Sequence, residues 1–196
     1  MVRTLIIALA LALPGVAAAD FSGGIEFLAG FGVGAESEVD GKSVDGSDAW
    51  SAIAFGIIPG IDQMLAPSVG IGAEMGFWWF SPDGDNAKGD SQLVLSPHLR
   101  ARMSFPIVEK VTFDGMLGVG PTIWTSRDVE VPGGGNQSTD SRFGWSLRFN
   151  FGGSYAINDQ VSAFANLGYF TTTTYGDDIT ATLNTIPLGV GVRGTF

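Results

Sequence analysis

The 196-residue sequence holds one histidine, His98, in the stretch SPHLRARMS. Ser96 lies two positions before it, and Arg100 and Arg102 lie two and four positions after it. In an extended chain this spacing puts all four on one face. A serine beside an imidazole, with a carboxylate to orient the ring, is the minimal set for nucleophilic acyl transfer. Carboxylates stand on similarly alternating positions elsewhere: Glu26 in GGIEFLAG, Glu74 in GIGAEMG and Asp114 in TFDGML. No nucleophile signature surrounds Ser96, however. His98 is therefore read as a satisfied interior histidine, and no residue is assigned as catalytic. The pair Asp83-x-Asp85 in PDGDNAKGD starts like a calcium loop but lacks the later glutamate, so it is read as a solvated loop. No metal site and no cofactor are expected. The absence of cysteine removes disulfides and thiolate chemistry from consideration.

The elements that must position these residues alternate with period two in eight segments. The apolar faces run through Phe21–Val33, about Trp50–Ile58, about Ser68–Phe80 and about Gln92–Phe105, then Val111–Trp124, Phe143–Phe151, about Val161–Thr171 and about Asn184–Phe196. The sixth is the clearest, with Phe143, Trp145, Leu147, Phe149 and Phe151 against Gly144, Ser146, Arg148 and Asn150. Between them, long polar loops such as AESEVDGKSVDGSD alternate with the short connectors PGIDQMLAP, PIVEK and AINDQ. A soluble β-sandwich would carry Lys, Glu and Thr on its second face, whereas here Gly, Ser and Ala dominate it. Trp79, Trp145 and Tyr169 share the aliphatic face near strand ends, as an interfacial aromatic girdle does. Even strand number, strands of about ten residues and unequal connectors are the pattern of an outer-membrane barrel.

Both termini fit that expectation. Residues 1–19, MVRTLIIALALALPGVAAA, carry Arg3, an apolar run and a small-residue finish, and read as a signal peptide cleaved after Ala19. Residues 20–196 then form one barrel domain. The last segment, IPLGVGVRGTF, alternates down to Phe196. A final apolar strand ending in Phe resembles the C-terminal assembly signal of bacterial outer-membrane proteins. The whole of 20–196 resembles the small eight-stranded OmpA/OmpX-like barrels. The resemblance implies an all-β, eight-stranded antiparallel transmembrane up-and-down β-barrel in the outer membrane of a Gram-negative bacterium. It further implies outer-membrane lipids, lipopolysaccharide and the barrel-assembly machinery as partners.

By parity the inner face holds Glu26, Glu74, His98, Arg100, Arg102, Asp114, Arg148 and Arg193. A barrel of eight strands is just wide enough for side chains to fill, so these charges must pair. The expected pairs are Glu26 with Arg193, Glu74 with Arg100 or His98, and Asp114 with Arg102, forming a plug. A polar pathway through a glycine-lined lumen is the alternative reading of the same residues. Thirteen of the 20 acidic residues lie in segments 34–49, 81–91, 126–142 and 172–183, read as outer loops. That charge argues against nucleic acid and leaves divalent cations or surface partners open. The expected function is non-enzymatic and structural or surface-interacting, in a monomer. A narrow porin-like or hydrophobic-solute channel is the alternative, and a lipid-modifying hydrolase using Ser96 and His98 the third.

Overall fold

The computed structural model describes residues 21–39, 42–45, 53–81, 88–89, 91–131, 135–176 and 179–196. Residues 1–20, which include the expected signal peptide, and most of PDGDNAKGD lie outside them. Among the described residues, eight long antiparallel strands follow the alternating segments: β1 Phe21–Val39, β2 Ile53–Ala66, β3 Val69–Phe80, β4 Gln92–Val108, β5 Val111–Trp124, β6 Arg142–Ala156, β7 Val161–Tyr175 and β8 Ile179–Thr195. Each pairs with its chain neighbour, and β8 returns to β1, closing the sheet. Closure leaves no unpaired edge facing lipid, which a spanning sheet requires.

Period two explains the burial. On β4, Ser96, His98, Arg100, Arg102 and Ser104 point inward, while Leu99 and Met103 point out and are exposed. The aliphatic and aromatic face is thus outside, where a bilayer replaces the core of a soluble protein. Trp79, Trp145 and Tyr169 all lie on this outer face. Parity switches once in β1, at a register shift between Gly32 and Gly34, so that Ala35 is buried.

Short turns at Pro67–Ser68, Glu109–Lys110 and 157–160 mark one end of the barrel, hereafter the turn end. The last is held by Asn158, whose Oδ1 accepts from the backbone N–H groups of Gln160 and Val161 at 2.9 and 2.8 Å. At the opposite, loop end the strands reach further than their apolar pattern suggests. Segment 172–183, expected as a loop, is strand on both sides of residues 177–178. Within 126–142, Arg127–Val131 pairs with Gly135–Thr139 and with Lys88–Gly89 in a separate small sheet. The connector PGIDQMLAP is also mostly strand, since β2 continues to Ala66.

The lumen is divided along its axis. Toward the loop end it is packed with Leu28, Ala54, Ile58, Trp78, Phe80, Val94, Trp124, Phe170 and Leu183. Trp78 stacks on Phe170 with ring centroids 4.4 Å apart. Toward the turn end it is mainly charged.

Phe21 and Phe196 exchange backbone hydrogen bonds of 3.2 and 2.8 Å, the last rung of the closing pair. The Phe196 ring is 75% exposed and adds little packing. Deleting Phe196 should therefore cost roughly 1–3 kcal/mol in the urea unfolding of vesicle-refolded barrel, two hydrogen bonds' worth. Its yield in the outer membrane should fall further than that loss explains; a normal yield would remove the targeting role expected of the residue.

Candidate functional site

Seven of the eight strands send a charged side chain into the turn-end half of the lumen. Glu26 comes from β1, Asp62 from β2, Glu74 from β3, Arg100 and Arg102 from β4, Asp114 from β5, Arg148 from β6 and Arg193 from β8. They form one alternating chain. Glu26 takes Arg148 Nη2 on both oxygens at 2.6 Å, and Arg148 Nη1 reaches Glu74 Oε2 at 3.0 Å. Arg100 links Glu74 at 2.8 Å to Asp62, which it grips through Nε and Nη2 at 2.7 and 2.6 Å. Arg102 stands 3.9 Å from Asp62 and 2.9 Å from Asp114, and Arg193 closes the series 3.3 Å from Asp114.

Four carboxylates meet four guanidiniums, so the chain is neutral without any charge on His98. Each bidentate or bridging arginine satisfies the planar fork that makes this side chain suited to buried pairs. Ser104 Oγ donates to Asp114 at 2.7 Å, and Arg193 lies over the Phe164 ring of β7, 5.0 Å from its centroid.

The glycines of this face leave space that the plug fills. A Cβ at Gly60 would stand 2.6 Å from Arg100 Nη1, and one at Gly189 would collide with Glu26. The openness that a glycine-lined pathway would need is taken up by side chains.

All eight sequence-identified lumen residues lie inside, but one expected pairing changes and the Ser96–His98 pair of the hydrolase alternative does not form. Glu26 does not meet Arg193, because the register opposes Gly24 to Arg193 and Glu26 to Gly191, and Arg193 reaches across to Asp114 instead. Ser96 does not meet His98 either, since its hydroxyl lies 3.3 Å from Thr122 Oγ1. The residue missed was Asp62. Pro59-Gly60 reads as a turn, which hid that the strand runs on and turns Asp62 inward. Four lumen arginines against three carboxylates in the sequence, one arginine too many, were the available signal.

His98 is bonded at both ring nitrogens. Its Nδ1 lies 3.0 Å from Glu74 Oε1 and its Nε2 2.8 Å from Ser146 Oγ. The carboxylate can only accept, so Nδ1 carries a proton. In the Nδ1–H tautomer Nε2 can accept from the Ser146 hydroxyl, which also lies within donating distance of the Gly120 carbonyl at 3.3 Å.

Beside this group the hydrogen-bond ladder between β4 and β5 is interrupted. Leu93 accepts from the backbone N–H of Thr125 at 3.0 Å, which sets the hydrogen-bonded pairs between β4 and β5 at every second position. The ladder runs through Leu95↔Ile123 and resumes only at Leu99↔Val119. The pair that falls between them is Pro97 with Pro121, and proline has no N–H to donate. Both donors of one rung are therefore missing. The β2–β3 ladder skips at the same height, from Ile57↔Phe77 to Gly60↔Glu74, around Pro59. All three prolines line a cleft of about 890 Å³ that also takes in Ile61, Met75, Leu99, Val119 and Trp145 from the outer face, with Glu74, His98 and Gly120.

A family model described as outer membrane protein beta-barrel domain matches residues 6–193. No curated protein sequence matches significantly. Among solved structures, the outer membrane protein OprG of Pseudomonas aeruginosa is similar with a TM-score of 0.64 at 17% identity, covering 93% of this chain and 98% of its own. Ail, the attachment invasion locus protein of Yersinia pestis, gives 0.49 at 19% identity, covering 89% and 98%. Neisserial surface protein A gives 0.48 at 16% identity, covering 90% and 97%.

Arg148→Met would strand Glu26 in the buried lumen and leave Glu74 to Arg100 and His98, and the expected loss of unfolding free energy in lipid vesicles is about 3–5 kcal/mol. Adding Glu26→Gln restores neutrality and should recover part of that loss. Additive losses in urea titrations would mean that the chain behaves as separate pairs.

Proposed function

Because the chain belongs to the outer membrane protein beta-barrel domain family, we propose that it is a lateral-exchange barrel for small apolar molecules, its lumen closed to straight-through flow of ions. The observation that carries this reading is the opposed pair Pro97 and Pro121. In a bilayer every backbone group must find a partner inside the protein, and an unsatisfied one costs several kcal/mol. A rung with no donors gives the carbonyls of Pro97 and Pro121 nothing to accept across it, so the β4–β5 ladder is weakest at this seam.

Its position supports the same reading. The seam sits where the apolar half of the lumen gives way to the charged chain. The loop-end half is filled by Trp78, Phe170, Ile58 and Leu28, so a hydrocarbon passing from that end must move apolar side chains aside and is held by contact alone. The charge chain below refuses it, because no apolar group can replace the lost ion pairs. The seam opens instead toward a cleft whose outer lining is apolar, on the side of the membrane hydrocarbon.

A purely structural and surface-interacting role is the second reading. The closed charge chain and the strands that extend past the apolar band at the loop end support it, since neither needs a solute.

The two readings separate in one experiment. Cells bearing the protein in the outer membrane should take up a radiolabelled apolar solute such as naphthalene severalfold faster than cells without it. The double variant Pro97→Val and Pro121→Val restores both donors and should remove most of that gain. Planar-bilayer conductance of the refolded protein should be silent in both. Uptake that does not depend on the protein would favour the structural reading, and discrete ion openings would overturn the closed lumen.

A further inference from the structure

We propose that Ser146, His98 and Glu74 form a nucleophile–base–acid array that cleaves acyl esters reaching it from the bilayer through the β4–β5 seam. In its route, though not in its chemistry, this rests on the lateral seam proposed above.

The order of the contacts matches the roles. Ser146 Oγ lies 2.8 Å from His98 Nε2, and His98 Nδ1 lies 3.0 Å from Glu74 Oε1. The tautomer forced by Glu74 leaves the Nε2 lone pair facing the serine hydroxyl, as a general base needs. Arg100 and Arg148 hold the other oxygen of Glu74 at 2.8 and 3.0 Å, so the carboxylate cannot swing away from the ring. These three residues come from β6, β4 and β3, and His98 and Glu74, their side chains buried, stand at the inner side of the cleft lined by Pro97 and Pro121.

A donor for the developing oxyanion is also present. Arg148 follows Ser146 by two positions on the same inward face of β6. Its Nη atoms hold the two glutamates, while its Nε is buried and has no hydrogen-bond partner among the described residues. A fixed cationic N–H of this kind stabilises charge on a carbonyl oxygen better than water does.

The chemistry balances without any added reagent but water. His98 Nε2 takes the Ser146 hydroxyl proton as Oγ bonds to the ester carbonyl carbon, whose π electrons move to its oxygen. When they return, the carbon–oxygen bond to the alcohol breaks, and the alcohol leaves with the proton from Nε2. Water then attacks the acyl–Ser146 ester, giving its proton to Nε2. Collapse releases the carboxylic acid and returns the proton to Ser146. The apolar cleft selects esters with a long acyl chain, and the buried array excludes those that cannot pass the seam. Glu74 acts as a positioning residue through His98.

The test uses the refolded chain in detergent micelles, its folding checked by heat-dependent gel mobility. A decyl fluorophosphonate should label one residue, Ser146, by peptide mass spectrometry, and p-nitrophenyl decanoate should be hydrolysed. Ser146→Ala and His98→Asn should each lower hydrolysis by about 100-fold or more, whereas Ser96→Ala should leave it unchanged. Glu74→Gln should move the pH profile of any residual hydrolysis, which a merely structural role would not. If Ser146→Ala fails to fold, Ser146→Cys keeps the volume and must lose the phosphonate label. Folded wild type that neither labels nor hydrolyses overturns the array, as does hydrolysis that survives Ser146→Ala. The Pro97→Val, Pro121→Val variant separates the two proposals. Labelling that persists there leaves the array standing and removes the seam as its route. Seam-dependent naphthalene uptake without labelling leaves the seam and removes the array.

Discussion

The alternating chain of four carboxylates and four guanidiniums is the constraint on which the rest of this barrel depends. A lumen closed by eight strands is too narrow to hydrate isolated charges, and an uncompensated one would be neutralised or would unfold the protein. Each charge here bridges to the next, and the members come from every strand except β7, which supplies the Phe164 ring under Arg193. The chain therefore joins strands that the backbone ladder joins only to their neighbours. Arg148 of β6 reaches Glu26 of β1 and Glu74 of β3, contacts across the barrel that no hydrogen-bonded rung could make.

Small residues are the counterpart of this arrangement. Gly60 and Gly189 stand where Arg100 and Glu26 pass close to the wall, so a glycine-rich inner face and a filled lumen are consequences of one another. The loop-end half solves the same filling problem with large apolar groups, Trp78 and Phe170 above all. The boundary between the two halves runs close to His98, whose ring lies 6.3 Å from that of Phe170 and is bonded to Glu74. There the β4–β5 ladder loses a rung, and polar chemistry and an apolar outer cleft come together. Neither lateral exchange nor ester cleavage would be suggested by any one of these features alone.

Much of the architecture was legible in the chain. The number of strands, the outward aromatic face with Trp79, Trp145 and Tyr169, the return of β8 to β1 and the inward parity of Arg100, Arg102 and Arg148 all follow from alternation. That is a local property, since successive side chains of any strand point to opposite faces whatever else it touches. Strand ends were less legible, because Pro59-Gly60 and the polar residues beyond Thr171 look like turns when in fact the neighbouring ladders hold them extended. Trp78, Trp124 and Phe170 went unnamed as inward residues because apolar character, not position, was taken to mark the outer face.

By itself, then, the sequence determined the alternation of a lipid face with a polar lumen face, and with it the barrel and its membrane. Only the tertiary structure decided who meets whom. Partners across a barrel depend on the stagger between strands and on closure, and a shift of two residues leaves every face unchanged while replacing every contact. That is why Glu26 finds Arg148 rather than Arg193, why His98 finds Ser146 rather than Ser96, and why Pro97 and Pro121, 24 positions apart, stand opposite each other on one rung.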